Sequence, residues 1–192
     1  MEHASNTYTM TYAPAAPDRA FWQSVPEYRF SRSLDIGGSP REGAGVRFAW
    51  SEQGLFVSAE LEDSALVSTN RQDEQLHFAT GDVFELFVKP PEDDYYWEMY
   101  ATPFGNKSTL FFPREREGMT VENFLQDHSH HGLDVRSEQT DNGWRTEMFV
   151  PSDQLCSLGA SWDKGAVWTV LCGRYNYANE TLEDPELSMW PP

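Results

Sequence analysis

Apolar and polar residues alternate with a period of two along most of the chain, and helical periodicity is scarce. Segments 46–50 and 55–62 alternate on either side of Ser51-Glu52-Gln53-Gly54, which predicts a hairpin. Segment 63–80 is polar and irregular and reads as a long loop. Strands are predicted at 82–89, closed by Pro90-Pro91, and at 95–102, followed by the turn Pro103-Phe104-Gly105-Asn106. Segment 108–112 continues the meander, and the charged stretch 114–131 is an excursion between strands. A second hairpin joins 133–138 to 143–150 across Thr140-Asp141-Asn142-Gly143, where Asn-Gly is a strong turn signal. Pro151 to Leu155 suits a short helix with Ser152 as N-cap. Segment 166–177 is the last predicted strand, and 185–192 reads as loop. Short strands without helical crossovers predict an all-β fold: an antiparallel β-sandwich, immunoglobulin-like or jelly-roll in type, with long loops and at most one or two short helices. No repeat or low-complexity linker divides the chain, so residues 1–192 are expected to form a single domain.

Successive strand residues point to opposite faces. In 82–89 one face carries Phe84, Leu86 and Val88, an ordinary core face, and the other carries Val83, Glu85 and Phe87. In 95–102 the core-like face is Tyr95, Trp97, Met99 and Ala101, and the other is Tyr96, Glu98 and Tyr100. Pairing of these two strands sets Glu85 and Glu98 side by side among aromatic rings. Carboxylate oxygens accept hydrogen bonds from hydroxyls, and aromatic faces cover C–H patches, so the constellation has the chemistry that recognises a sugar ring. The plainer alternative is a half-exposed outer face, where Glu is common. The last strand adds Arg174 and Asn176 on one face. Arg174 either orients a carboxylate or donates to ligand hydroxyls, or else forms a structural ion pair with Glu85 or Glu98.

The balance of 14 Lys and Arg against 31 Asp and Glu gives a net charge of -17, which repels nucleic acid and anionic membrane surfaces. A neutral glycan, or a cation such as Ca²⁺, is compatible with it. Aromatic residues make up 14% of the chain, enough both for cross-strand packing and for flat binding surfaces. The two cysteines, Cys156 and Cys172, lack zinc-site spacing. Cys172 lies in an apolar run and reads as a buried free thiol, with a Cys156–Cys172 disulfide as the alternative. No apolar stretch approaches bilayer length, and Met1-Glu2-His3 does not open a signal peptide. The expected compartment is secreted or periplasmic for a chain whose signal has been removed, and cytoplasmic otherwise.

The run Gly81-Asp82-Val83-Phe84-Glu85-Leu86-Phe87-Val88, then Tyr95-Tyr96-Trp97-Glu98, then Thr102-Pro103-Phe104-Gly105, resembles the central signature of family 9-like carbohydrate-binding modules. Supporting motifs stand in the same order: Val46-Arg47-Phe48-Ala49-Trp50 with Leu55-Phe56-Val57, then Gly143-Trp144-Arg145-Thr146-Glu147, Cys172-Gly173-Arg174-Tyr175 and Ser188-Met189-Trp190-Pro191. Each motif is weak by itself, and the ordered set is fairly specific. The resemblance implies a DOMON-related β-sandwich that binds mono- or oligosaccharide without catalysis, needs no cofactor and in some members holds structural Ca²⁺. It implies an aromatic clamp, matched by Trp190 in a late loop and by Phe78 in the loop before the central strand. Glu85 matches the family's ligand-binding Glu, and with Glu98, Tyr100, Arg174 and Asn176 from the strand faces it completes the expected ligand contacts. Glu98 stands where the family's sugar binders carry Arg, and Tyr100 where they carry Asn. The family commonly continues through a further His-containing segment and a last strand, so the resemblance implies a chain lacking that strand. A glycoside hydrolase is the partner it suggests.

Two alternatives compete. Glu85 and Glu98 match in outline the carboxyl pair of a glycoside hydrolase. A haem-binding DOMON-type electron-transfer domain would draw axial ligands from His128, His130, His131, Met99 or Met148. His128, His130 and His131 with Asp127 are also candidate ligands for Zn²⁺ or Ni²⁺, and Asp63 or the run Glu92-Asp93-Asp94 for Ca²⁺.

Overall fold

The structure is a computed structural model that describes residues 7–34, 37–126 and 132–192. Its strands form two six-stranded sheets. In sheet A, β1 (Thr11–Tyr12), β4 (Ala44–Ser51), β5 (Gly54–Glu62), β10 (Gly143–Pro151) and β9 (Asp134–Thr140) lie in that spatial order, and β2 (Tyr28–Arg29) also pairs with β4. In sheet B the order is β3 (Arg32–Ser33), β12 (Glu186–Trp190), β11 (Thr169–Asn176), β6 (Val83–Lys89), β7 (Tyr96–Ala101) and β8 (Lys107–Phe112). Pairing is antiparallel throughout, except that β1 runs parallel to β4. The predicted sandwich and both predicted hairpins are present.

The alternation in the sequence explains the layers. Val46, Phe48, Leu55, Val57, Ala59, Leu61, Trp144, Met148 and Val150 of sheet A meet Phe84, Leu86, Val88, Trp97, Met99 and Cys172 of sheet B in one core cluster. Leu55, Leu86 and Met99 are fully sealed from solvent, and such burial contributes about 1.5–3 kcal/mol per side chain. The opposite faces are covered by smaller clusters. Helix α1 (Arg19–Ser24), capped by the Asp18 side chain at 2.8 Å from the Phe21 N–H, lays Trp22 against Ala49 and Phe56 outside sheet A. The turn Val121–Phe124 lays Phe124 on Phe112 outside sheet B, within the stretch expected to be an excursion.

Three expectations are corrected. Segment 185–192 is not a loop. Glu186, Ser188 and Trp190 are buried while Leu187 and Met189 are partly exposed, the signature of a strand, and Pro185, Pro191 and Pro192 border it without interrupting its ladder. The short helix α2 (Ser152–Leu155) forms as predicted, but Pro151 occupies its N-cap and the Ser152 hydroxyl donates instead to the Glu52 carbonyl at 2.9 Å. The last predicted strand starts later, at Thr169, where its ladder meets Lys89 at the end of β6, and Trp162 and Trp168 pack edge-to-face in the loop before it. Both cysteines are free, and Cys172 is buried.

Candidate functional site

Strands β11, β6 and β7 are neighbours, so their outward residues tile one surface of sheet B. Glu85 on β6 stands opposite Tyr100 of β7 on one side and opposite Gly173 of β11 on the other. Two pairs further along, Phe87 stands opposite Glu98 and Leu171. Glu85 and Glu98 are therefore diagonal neighbours on one face, as the alternation predicted. Around them lies an aromatic border. The rings of Phe78 and Tyr175 are 5.6 Å apart, Phe78 meets Tyr100 edge-on at 6.2 Å, and Tyr96 stacks on Phe112 at 4.5 Å.

Gly173 shapes the floor. A Cβ placed there would come within 2.9 Å of Glu85 Oε2, so the bare glycine is what lets the Glu85 carboxyl lie over β11. Glu85 is 6% exposed, and neither of its oxygens is among the fully buried unpartnered atoms. Among the described residues it has no hydrogen-bond or ion-pair partner, so its carboxyl is open to a ligand donor. Burial, reinforced by the charge of Glu98, pushes the Glu85 carboxyl up to about 8. Glu98 is 8% exposed and accepts a hydrogen bond from the Tyr100 hydroxyl at 2.7 Å. Burial raises Glu98 as well, and the hydroxyls of Tyr100 and Tyr96 oppose that shift. The site thus pairs one carboxyl kept largely neutral near pH 7 with one already held by tyrosine hydroxyls.

The loop carrying Phe78 is fastened to the sheet. Asp82 accepts from the Tyr177 N–H at 2.7 Å and the Val67 N–H at 2.5 Å, and the Tyr177 hydroxyl donates to the Phe78 carbonyl at 2.5 Å. Gly81 has φ 152°, and a Cβ there would fall 2.2 Å from the Val67 carbonyl, so no other residue fits this approach. Phe78 itself sits on the single turn His77–Ala79 above Tyr100 and Tyr175.

The structure gathers Phe78, Glu85, Glu98 and Tyr100 and separates the other three predicted residues. Arg174 and Asn176 share the face of Cys172, which is the inner one. Arg174 forms its ion pair with Asp63 at 3.3 Å, both side chains 1% exposed, and donates to the Glu62 carbonyl at 2.5 Å. The expected pairing with Glu85 or Glu98 is overturned because an odd-numbered offset along β11 puts Gly173, not Arg174, beside Glu85. Asn176 donates to Glu42 at 2.6 Å. Trp190 lies in β12, not in a loop, and its ring is buried against Tyr28 at 4.8 Å, Tyr8 at 5.1 Å and Phe48 at 5.4 Å. It faces between the sheets and cannot clamp a ligand held at Glu85 on the outer face.

Of the candidate metal ligands, Asp63 is engaged by Arg174, and Asp93 by Arg114 at 2.6 and 2.7 Å. His128, His130 and Asp127 lie outside the described residues, as does His131 of the haem alternative, while Met99 and Met148 are core residues. Among the described residues no group of three or more His, Cys, Asp or Glu converges. No helix there is long and apolar enough to cross a membrane. Sequence reasoning missed Gly173 and Tyr175. Their parity was readable, since both alternate with the apolar Cys172.

Comparison with known proteins places the fold. No protein-family model and no curated protein matches the sequence. Among solved structures, the chain is similar to a candidate carbohydrate-binding protein from Bacteroides uniformis, with TM-score 0.74 and 12% identity over 94% of this chain and 87% of that one. It is similar to a carbohydrate-binding module of family 9 from Caldicellulosiruptor kristjanssonii in complex with glucose, with TM-score 0.66 and 15% identity over 94% of this chain and 83% of that one. The same module in complex with cellotriose gives TM-score 0.64, again at 15% identity and with coverages of 94% and 83%. At these identities the likeness is one of fold: the chain has the β-sandwich of family 9 modules, as the motifs implied.

Proposed function

We propose that the protein binds carbohydrate without cleaving it, on the outer face of sheet B around Glu85 and Glu98. The observation that carries this reading is the Glu85 carboxyl: nearly buried, unpartnered among the described residues, and set over Gly173 within a border of aromatic rings. An unmet carboxyl in such a setting is costly unless a ligand satisfies it. A sugar supplies hydroxyls for Glu85 and Glu98 and C–H faces for Tyr175 and Phe78. The fold shared with modules seen holding glucose and cellotriose supports the same reading.

Titration calorimetry against soluble oligosaccharides tests it. Saturable binding is expected, weakened about tenfold or more in Glu85→Gln and in Tyr175→Ala, with the far-UV spectrum unchanged. Full affinity in both variants would remove the site from this face. A pair of carboxyls on one face, both raised by burial, is also the chemical equipment of glycoside hydrolases. Release of new reducing ends, abolished in Glu85→Gln, would make the protein an enzyme instead.

A further inference from the structure

The charge around this site narrows its ligand. Glu85 and Glu98 lie on one face, and no Lys, Arg or His forms an ion pair with either among the described residues. Arg174, the buried cation of the neighbouring strand, is on the inner face with Asp63. Two cations of the outer face, Arg116 and Lys89, leave the carboxyls unpaired. Arg116 lies over the Tyr96 ring, 5.1 Å from its centre, and donates to the Pro113 carbonyl at 2.6 Å. Lys89, two positions beyond Phe87 on β6, is the other diagonal neighbour of Glu98 on this face, and it forms no ion pair with it. The site is therefore a pair of nearly buried carboxyls with no ion-pair partner among the described residues, bordered by the part-exposed, electron-rich rings of Tyr175 and Phe78. The faces of such rings attract cations.

Resting on the carbohydrate reading above, we infer that the preferred ligand is a sugar bearing a protonated amine, such as a glucosamine oligomer, whose ammonium group supplies the charge that Glu85 and Glu98 lack. The ammonium provides three donors where a neutral sugar provides one hydroxyl, and it lets both carboxyls ionise together. Burial displaces Glu85 upward and the charge of Glu98 adds to it, and that second part is the repulsion such a ligand relieves. An N-acetylated sugar has no charge to offer, and an anionic sugar meets both carboxyls and a net charge of -17.

The experiment is calorimetry with three tetrasaccharides of matched β-1,4 linkage: the glucosamine tetramer, its fully N-acetylated form and cellotetraose. It is run at about pH 6, where the amine is protonated. The glucosamine tetramer is expected to bind about tenfold or more tightly than either neutral tetramer. In Glu85→Gln/Glu98→Gln that advantage disappears. In Glu138→Gln/Asp141→Asn, which removes the same charge from the β9–β10 hairpin of the other sheet, it persists. Equal or tighter binding of a neutral tetramer, still weakened by Glu85→Gln, overturns the amine preference and leaves the carbohydrate site standing. An advantage eroded equally in both double variants also overturns it, because overall charge would then be its source. Failure of all three tetramers to bind, or indifference of binding to Glu85→Gln, sinks the site and the inference together.

Discussion

Replacing Arg174 by Met separates the inner face of sheet B from the outer one. The Arg174 and Asp63 side chains are each 1% exposed and 3.3 Å apart. Arg174 also donates to the Glu62 carbonyl at 2.5 Å, and its guanidinium attracts Glu42 and Asp82. Met keeps most of the volume and the flexible stem, so the cavity contribution is small. What remains is a carboxylate buried without its cation, and breaking a buried pair in this way costs about 3–5 kcal/mol. With a urea slope of about 2 kcal/mol per molar, the midpoint falls on the order of 2 M. Urea denaturation followed by tryptophan fluorescence measures it. Adding Asp63→Asn to Arg174→Met removes the stranded charge, so the double variant should recover part of the loss. A loss below about 1 kcal/mol, or a double variant as unstable as the sum of the two single ones, would mean that water reaches the pair and screens it. Oligosaccharide affinity should be unchanged in any Arg174 variant that folds. A folded Arg174→Met that no longer binds would refute the assignment of the site to the outer face.

Two further outcomes follow from the same geometry. Trp190→Ala is expected to cost about 3–5 kcal/mol in urea denaturation, because it opens a cavity among Tyr8, Tyr28 and Phe48. A folded Trp190→Ala protein with native stability but no binding would show that Trp190 meets ligand directly. Stability should fall as pH rises from about 5 to about 8. Glu85 (about 8) and Asp82 (about 7) are held above their unfolded values. The native state therefore binds more protons than the unfolded chain across that window, and their favourable contribution is complete only below the unfolded carboxyl range. Glu85→Gln should flatten part of this slope in pH-dependent urea midpoints; a slope equal to the parent's would mean that Glu85 titrates normally.

Much of the fold was legible because alternation is a local property. Strands β6 and β7 carry it across six or seven residues, and it correctly put Phe84, Leu86, Trp97 and Met99 inside and Glu85 and Glu98 outside. The two-residue strands β1, β2 and β3 are too short to show a period, and they form because β4 and β12 offer them edges. Strand β12 was hidden by the prolines around it. The site was half legible. Which residues share a face within one strand follows from parity, but which face of β11 adjoins Glu85 depends on register, fixed by β6 pairing over seven residue pairs. Cys172 held the clue: an apolar residue at that parity marks the core side, and Arg174 and Asn176 go with it.

The contact between Gly173 and the Glu85 carboxyl ties two positions 88 residues apart into one unit of inheritance. With Glu at 85, a side chain at 173 would press on Oε2 at 2.9 Å, so the carboxyl would have to swing off β11 to make room. A lineage that gains Ala or Ser at 173 therefore displaces the carboxyl from its place over β11, and one that loses the carboxyl frees 173 to drift. Among relatives of this protein, the pair Glu85–Gly173 should appear and vanish together, and sequences holding Glu at the first position with a larger residue at the second should be rare.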